Sequence, residues 1–304
     1  MFIDAIDPTK DLAFKKVFGS QETVEILAGF VGDFFGVYPK ELRIDNPYDI
    51  RAYTEIVARL ESCPELMEDG MEIRKLRATI SDLDATMEMG DYTSELQMRM
   101  DPHFAERSLY YPFRKFASRH QLAAGGPCPY SLLRPIYAMN ILGYRHIPSD
   151  DDALRIFELH DPKRKKAFPK RLLHIGYFEL PKSVVETDNQ RDWQSFFLRR
   201  PLSATAPDYI RKAASVIERA NMRKEEIDML TRLEYMEWKM AGELEGARME
   251  GREQGLLEGL LEGRLEEKAI WQAVVGEKEL LIQSKDLIIK KLEKELMNKR
   301  GKDN

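Results

Sequence analysis

The chain has 304 residues, of which 43% are hydrophobic and 33% charged, and its net charge at pH 7 is -5. This length and apolar content suffice for a substantial core in one or two domains. A negative net charge does not indicate a nucleic-acid binder, although basic residues can still cluster on one part of the surface. Without a run of about eighteen apolar residues or a leader-like start, we expect a cytoplasmic protein without a membrane anchor.

The first sixty residues predict helices around one short strand. Apolar residues at near-helical spacing follow the helix-start signal Asp7-Pro8-Thr9 and continue to Gly19, which predicts a first core helix. A second helix is predicted over residues 22–35. A strand over residues 42–44 and a helical stretch over residues 53–60 follow.

Residues 80–98 read ISDLDATMEMGDYTSELQM and alternate as two strands around a turn at residues 88–91. Side chains alternate between the faces of a strand, so Asp84 and Glu95 are expected on one face and near each other. Two close carboxylates repel unless a proton or a cation lies between them, and Mg²⁺ suits such oxygen ligands. The same residue types occur on the solvent-exposed face of a hairpin, which is the alternative interpretation.

A helix is predicted from about residue 103 to residue 121, with a broad apolar stripe. Its other face carries Arg107, Arg114 and Lys115. These side chains are candidates for contacts with a DNA backbone, and a solvated helix face is the alternative.

Two strands and a basic run follow this helix. An almost continuous apolar run at residues 135–142 predicts a strand buried on both faces, and residues 172–180 predict another. Residues 144–170 are expected to leave the core. They contain the basic run Lys163, Arg164, Lys165 and Lys166, which would steer a polyanion if it lay beside a cleft and would otherwise be solvated.

After Pro207 the composition shifts to charged, helix-favouring residues. Glycines recur every four or five residues from Gly242 to Gly263, and each costs a helix roughly 1 kcal/mol relative to alanine. Ile282, Ile289 and Leu296 are spaced by seven, which predicts a short coiled-coil seam and self-association. We therefore expect two domains, residues 1–206 and a helical tail over residues 207–304.

Several motifs together resemble a known family. They are Asp84 after Leu83, Glu95-Leu96-Gln97, the run Arg107-Ser108-Leu109-Tyr110-Tyr111, the opening helix around Asp11-Leu12-Ala13-Phe14-Lys15-Lys16, and Phe178-Glu179-Leu180-Pro181-Lys182 followed by Asp192-Trp193. In this order they resemble the recombination-promoting nuclease/putative transposase family of the PD-(D/E)XK, restriction-endonuclease-like superfamily, over about residues 8–265. The resemblance implies an α/β fold in which helices flank a mixed sheet.

The resemblance also implies a function. It predicts a metal-dependent DNA endonuclease, linked to recombination or mobile DNA, that hydrolyses phosphodiester bonds. Asp84, Glu95 and the main-chain carbonyl of Leu96 would bind Mg²⁺, with Mn²⁺ or Ca²⁺ as alternatives, and Gln97 would orient the attacking water.

Gln97 stands where many superfamily members carry lysine, although glutamine is usual in this family. An amide cannot hold a positive charge, so a slow enzyme is predicted. The alternative is a degenerate nuclease fold that acts as a DNA-binding or scaffolding oligomer assembled through its tail. Strand transfer is a third option, because nothing in these residues separates joining from cutting.

Overall fold

A computed structural model describes residues 5–62, 83–121 and 133–300. The first residues of the predicted hairpin, 80–82, lie outside the described residues. Within the described residues, the α-helices are α1 (Asp11–Phe18), α2 (Val24–Phe35), α3 (Ile50–Ser62), α4 (Phe104–Gln121), α5 (Asp188–Phe197), α6 (Asp208–Val216) and α7 (Lys224–Arg300). The strands are β1 (Leu42–Ile44), β2 (Leu83–Met87), β3 (Gly90–Gln97), β4 (Ile136–Leu142), β5 (Leu154–Phe157), β6 (His160–Asp161), β7 (Lys166–Ala167) and β8 (Leu173–Glu179).

The central sheet is mixed and has six strands in the order β1-β2-β3-β4-β8-β5. Strands β1, β2 and β3 are antiparallel neighbours, β3, β4 and β8 run parallel, and β5 returns antiparallel along β8. All seven residues of β4 are buried. A strand that is covered on both faces is expected to be continuously apolar, as this one nearly is.

Helix α4 covers one face of the sheet. Phe104 at its first position is fully buried against Ala138, Leu142, Ile175 and Tyr177. Pro112 lies inside this helix and is buried. The face that α4 covers is the face that carries the polar side chains of β2 and β3.

The opposite face packs against an aromatic layer from α1, α2 and α5. Phe34 contacts Phe178 of β8 at 4.7 Å between ring centroids, and Phe30 contacts Trp193 at 5.0 Å. Trp193 is fully buried and belongs to a motif of the family resemblance. It therefore contributes to the core.

The buried carboxylate of Asp33 in α2 connects this helix to α5 and to α6. Trp193 Nε1 donates to it at 2.8 Å, Asn189 Nδ2 at 2.8 Å, and the Tyr209 hydroxyl at 2.9 Å. A buried carboxylate needs such partners because it has lost its hydration. The contacts link α2 to α5 and α6.

The predicted α/β architecture, with helices on both faces of a mixed sheet and a long C-terminal helix, is confirmed. The expectation that residues 144–170 leave the core is wrong for β5, which forms the edge of the main sheet against β8. This strand has only four residues and lies half exposed, so its sequence carries little periodicity. Beyond it, β6 and β7 form a separate two-stranded sheet.

The chain forms two compact units, residues 1–234 and residues 235–304. The first unit includes α6, whose Ile210 and Ala213 are fully buried, so it ends later than the boundary predicted after residue 206. The second unit continues α7, and its apolar side chains are exposed; Ile282 is 58% exposed and Ile289 51%. Within the described residues, no helix combines the length and apolar content needed to cross a bilayer.

Candidate functional site

The polar face of the β2–β3 hairpin carries Asp84 and Glu95 together, as the alternation predicted. The turn is shorter than predicted: Glu88 and Met89 form it, and Met87 pairs with Gly90. Asp84 therefore lies opposite Thr93, and Glu95 is two residues further along β3. A shift of two residues keeps every side chain on its face, because the period of a strand is two.

Asp84 is the more accessible of the two carboxylates, with 39% of its side chain exposed. Lys115 of α4 extends its Nζ to 3.1 Å from Asp84 Oδ1 and to 3.3 Å from the main-chain oxygen of Tyr92. The backbone N–H of Asp84 donates to Asn46 Oδ1 at 2.8 Å, which fixes this part of β2. The carboxylate thus has a cation beside it and an open side toward solvent.

A second acidic residue, Asp45, shares the same lysine and was not predicted from the sequence. Lys115 Nζ lies 3.4 Å from Asp45 Oδ2, and the Thr86 hydroxyl donates to the same oxygen at 2.9 Å. Burial acts to raise the pKa of Asp45, but Lys115, Thr86 and Arg43 outweigh it and the pKa is lowered. Asp45 follows β1 directly, and only the pairing of β1 with β2 brings it to the site.

Glu95 is less accessible, with 14% of its side chain exposed. Arg107 of α4 places Nη2 at 2.7 Å from Glu95 Oε1 and Nη1 at 2.8 Å from Asp101 Oδ2. Burial raises the pKa of Glu95, although Arg107 acts to lower it. The carboxylate of Glu95 is therefore partly desolvated, and the guanidinium group of Arg107 stabilises its negative charge.

Gln97 follows Glu95 on the same face, and its amide makes two hydrogen bonds. Its Oε1 accepts from Arg107 Nη2 at 2.7 Å, and its Nε2 donates to the main-chain oxygen of Arg99 at 2.6 Å. The side chain of Leu96 points to the other face and is buried. The amide thus orients Arg107, and a direct part for Gln97 in positioning water stays a prediction.

A cleft of about 620 Å³ opens beside Asp84 between the β1–β2 edge and α4. Its lining includes three basic side chains, Arg43, Arg114 and Lys115, together with Asp45 and Asp84. Arg114 also lies over the rings of Tyr110 and Tyr111, 5.9 and 5.5 Å from their centroids. The cleft therefore carries both signs of charge.

The predicted DNA-binding residues divide into two groups. Arg107 and Lys115 contact the site carboxylates, and Arg114 lines the cleft. The other group, at residues 163–166, lies beyond the opposite edge of the sheet, in the turn between β6 and β7 and at the first residue of β7. One motif of the resemblance, at residues 178–182, is structural in this chain: its Glu179 and Lys182 are fully buried and lie 3.0 Å apart.

Tyr144 is a further polar group near the site that the sequence did not indicate. Its hydroxyl oxygen is buried and has no hydrogen-bond partner among the described residues. Burial raises the pKa of Tyr144 to about 12, and the charges of Arg107 and Glu95 also act on it. The phenol is therefore neutral near pH 7, and its ring packs edge-on against Phe104.

The oxygen donors at the site suit a hard divalent cation. Mg²⁺ typically takes one or two protein carboxylates and completes its shell with water and substrate phosphate. Asp84 and Glu95 provide two such carboxylates on one face. Among the described residues, no group of three or more His, Cys, Asp or Glu side chains is placed to hold a metal ion, so a fully protein-built cage is not present there.

Comparison with known families decides the class of this protein. The family of PD-(D/E)XK nuclease family transposases matches residues 68–247, more than half of the chain. The chain belongs to that family. PD-(D/E)XK nucleases generally use divalent metals and act on DNA, so membership associates the chain with nuclease chemistry and with mobile DNA. No curated protein and no solved structure matches it.

Proposed function

We propose that this PD-(D/E)XK family member is a Mg²⁺-dependent endonuclease that hydrolyses phosphodiester bonds in DNA, in recombination or in the movement of DNA. The observation that carries the proposal is the placement of Asp84 and Glu95 on one face of neighbouring strands, where Asp84 lines a cleft that also carries basic side chains. Asp84, Glu95 and the main-chain carbonyl of Leu96 would hold the ion. Mn²⁺ or Ca²⁺ would fit the same oxygen ligands.

When bound, the ion would polarise the scissile phosphate and lower the pKa of a coordinated water. The chain's own residues supply the remaining charge. Lys115 and Arg114 face the cleft and would neutralise phosphate oxygens, whereas Arg107 keeps Glu95 in a fixed position. Arg107 in turn is oriented by Gln97 and Asp101.

Lys115 gives the site a cation that β3 itself lacks, because Gln97 cannot carry charge. Its Nζ is 3.1 Å from Asp84 Oδ1, so it lies beside the predicted position of the ion. A cation that approaches from α4 stabilises negative charge that grows on the phosphate in the transition state. It also competes with the ion for Asp84, which supports the prediction of a slow enzyme.

Cleavage of plasmid DNA by the full chain with Mg²⁺ tests the proposal. The variants Asp84→Asn and Glu95→Gln are expected to lower cleavage at least about 100-fold while they retain the fold and DNA binding. Asp188→Asn is the matched control, because Asp188 is 84% exposed and lies on α5, which packs on the opposite face of the sheet. An intact plasmid with the parent protein, or equal cleavage by all variants, would remove the nuclease assignment.

A second candidate function is that of a DNA-binding or scaffolding protein on a degenerate nuclease fold. It is favoured by the ion pairs that already neutralise both carboxylates, Asp84 with Lys115 and Glu95 with Arg107. The same plasmid experiment separates the two functions. A DNA complex that weakens with salt and shows no cleavage at any Mg²⁺ or Mn²⁺ concentration would select the second.

We also propose that the chain self-associates through its second unit. α7 presents Val275, Ile282 and Ile289 at seven-residue spacing, and each is at least half exposed. Such a seam is buried when two helices pack as a coiled coil. Sedimentation of the full chain should show an oligomer that Ile282→Asp with Ile289→Asp dissociates, whereas Gln283→Asp with Lys290→Asp, off the seam, should not. A monomeric parent protein would contradict this.

A further inference from the structure

The β6–β7 hairpin, defined as residues 159–168, is an ordered ribbon at the far edge of the sheet. Its turn is held by Asp161: the N–H groups of Lys163 and Arg164 donate to Asp161 Oδ1 at 2.9 and 3.2 Å, and the Lys165 N–H donates to Asp161 O at 2.8 Å. Lys165 adopts a left-handed conformation with φ of 51°. These local bonds define the conformation of the turn.

The hairpin and its flanks concentrate positive charge in an acidic chain. Residues 158–171 contain six Lys or Arg and two Asp or Glu, whereas the whole chain carries -5. Arg164 pairs with Asp161 and Arg171 lies near Glu158. The remaining lysines are exposed and have no ion-pair partner among the described residues; they are Lys163, Lys165, Lys166 and Lys170.

Two large apolar side chains lie at the base of this basic ribbon. Leu159 and Phe168 are each 54% exposed, and they face each other across the hairpin, where the Phe168 N–H donates to Leu159 O at 2.9 Å. Phe157 on the adjoining β5 is 50% exposed. Exposed apolar residues beside unpaired cations are expected where a partner offers both negative charge and apolar surface.

Duplex DNA offers both. Its phosphates attract lysines, its major groove admits a two-stranded β-ribbon, and inserted apolar side chains contact sugars and base edges. Phe157 is in register, through Ile175 and Ala138, with Thr93 of the candidate site. Three strand spacings separate β3 from β5, or about 14 Å, which lies within one duplex diameter.

We propose that the β6–β7 hairpin binds duplex DNA as a second contact, separate from the carboxylate site. Lys163, Lys165, Lys166 and Lys170 neutralise phosphates, and Leu159 with Phe168 contacts the groove surface. The proposal rests on the proposed function for its choice of partner. It does not depend on cleavage.

Binding of a fluorescein-labelled 30-base-pair duplex by the full chain in EDTA, measured by anisotropy at several NaCl concentrations, tests the proposal. The charge variant combines Lys163→Gln, Lys165→Asn and Lys166→Gln, with Asn at the left-handed position because Asn tolerates it. We expect about tenfold or greater weakening and a slope of log K against log [salt] shallower by about 2.7, since each phosphate contact contributes about 0.9.

Leu159→Ser with Phe168→Ser tests the apolar contact. This variant should weaken binding about tenfold and keep the parent's salt slope, because it removes no charge. The matched control combines Arg200→Gln, Lys212→Gln and Lys224→Gln, which remove the same charge from exposed positions in or beside the helices of the opposite layer. The control should bind as the parent does. Circular dichroism and thermal unfolding establish that each variant is folded.

Each outcome decides the proposal. The proposal is overturned if the folded charge variant keeps the parent's DNA affinity and salt slope, or if the control variant loses as much affinity as the charge variant. It is also overturned if the charge variant loses binding to phosphatidylserine vesicles while its DNA binding stays intact. Hairpin-dependent DNA binding without plasmid cleavage supports the hairpin and removes the nuclease assignment. Normal plasmid cleavage together with DNA binding that does not depend on the hairpin supports the nuclease assignment and overturns the hairpin proposal.

Discussion

Helix α4 and the β6–β7 hairpin both carry clusters of basic side chains, but the two clusters have different surroundings. On α4, Arg107 and Lys115 each contact a carboxylate of the candidate site, at 2.7 and 3.1 Å. On the hairpin, Lys163, Lys165 and Lys166 are exposed and have no ion-pair partner among the described residues. The same residue types therefore position the site in one region and remain available for a polyanion in the other.

The largest expected effect is on stability, when a basic side chain of α4 that pairs with a carboxylate is replaced. Arg107→Met leaves Glu95, 14% exposed, without its guanidinium partner. Removing one partner of a buried pair costs about 3 kcal/mol. Urea unfolding at pH 7.5 should show this loss, whereas Lys163→Met should stay within about 0.5 kcal/mol of the parent. Equal costs for the two variants would mean that α4 and the hairpin do not differ in this way.

Lys115→Met is expected to have a smaller effect than Arg107→Met, and a favourable one: it should strengthen binding of the metal ion. The lysine competes for Asp84, which is 39% exposed, so solvent screens the pair. Calorimetric titration with Mn²⁺ should give about threefold tighter binding, equivalent to ~0.7 kcal/mol. Cleavage should nevertheless be slower, because a cation near the phosphate is lost. Lys163→Met is the control for ion affinity, and unchanged affinity in Lys115→Met would contradict the competition.

The smallest expected effect is the pH dependence that Glu95 contributes. Burial raises its pKa above the ordinary value of 4.5, although Arg107 opposes the shift. Between that value and the raised pKa, the folded chain keeps a proton that the unfolded chain has lost. Stability from this group therefore falls as pH rises through that window and levels off above it.

Unfolding free energies of the parent and Glu95→Gln at pH 4, 5, 6 and 7 measure this contribution. The parent should lose stability relative to Glu95→Gln as pH rises above about 4.5, the ordinary value for Glu. Glu226 is the internal contrast, since Lys16 and Arg223 lower its pKa despite burial, and its contribution is lost on acidification. If the difference in unfolding free energy between the parent and Glu95→Gln stays constant with pH, or moves in the parent's favour as pH rises, it would contradict the raised pKa of Glu95.

The face shared by Asp84 and Glu95 could be predicted because strand alternation is local and survives an error in turn length. The predicted turn at residues 88–91 places the two residues directly opposite each other. The observed two-residue turn offsets them but changes no face. The burial of β4 on both faces could equally be predicted from its apolar run, and helices that pack on the sheet could be predicted from apolar residues at helical spacing.

The ion pairs of the site could not be predicted in this way. Arg107 and Lys115 are predicted to lie on a helix face that contacts either a DNA backbone or solvent, because the sequence defines a helix face but not the angle at which it packs on a sheet. Asp45 reaches the site only through the pairing of β1 with β2, across a long separation in sequence. Contacts of this kind depend on tertiary packing, which local periodicity does not encode.

Pro112 stands between Arg107 and Lys115 in α4 and has no N–H to donate to the carbonyl of Ser108. The turn whose Arg107 pairs with Glu95 and the turn whose Lys115 pairs with Asp84 therefore lie on either side of one absent main-chain hydrogen bond. Because a helix bends most readily at a proline, the cost of a change in the angle between these two turns is lowered.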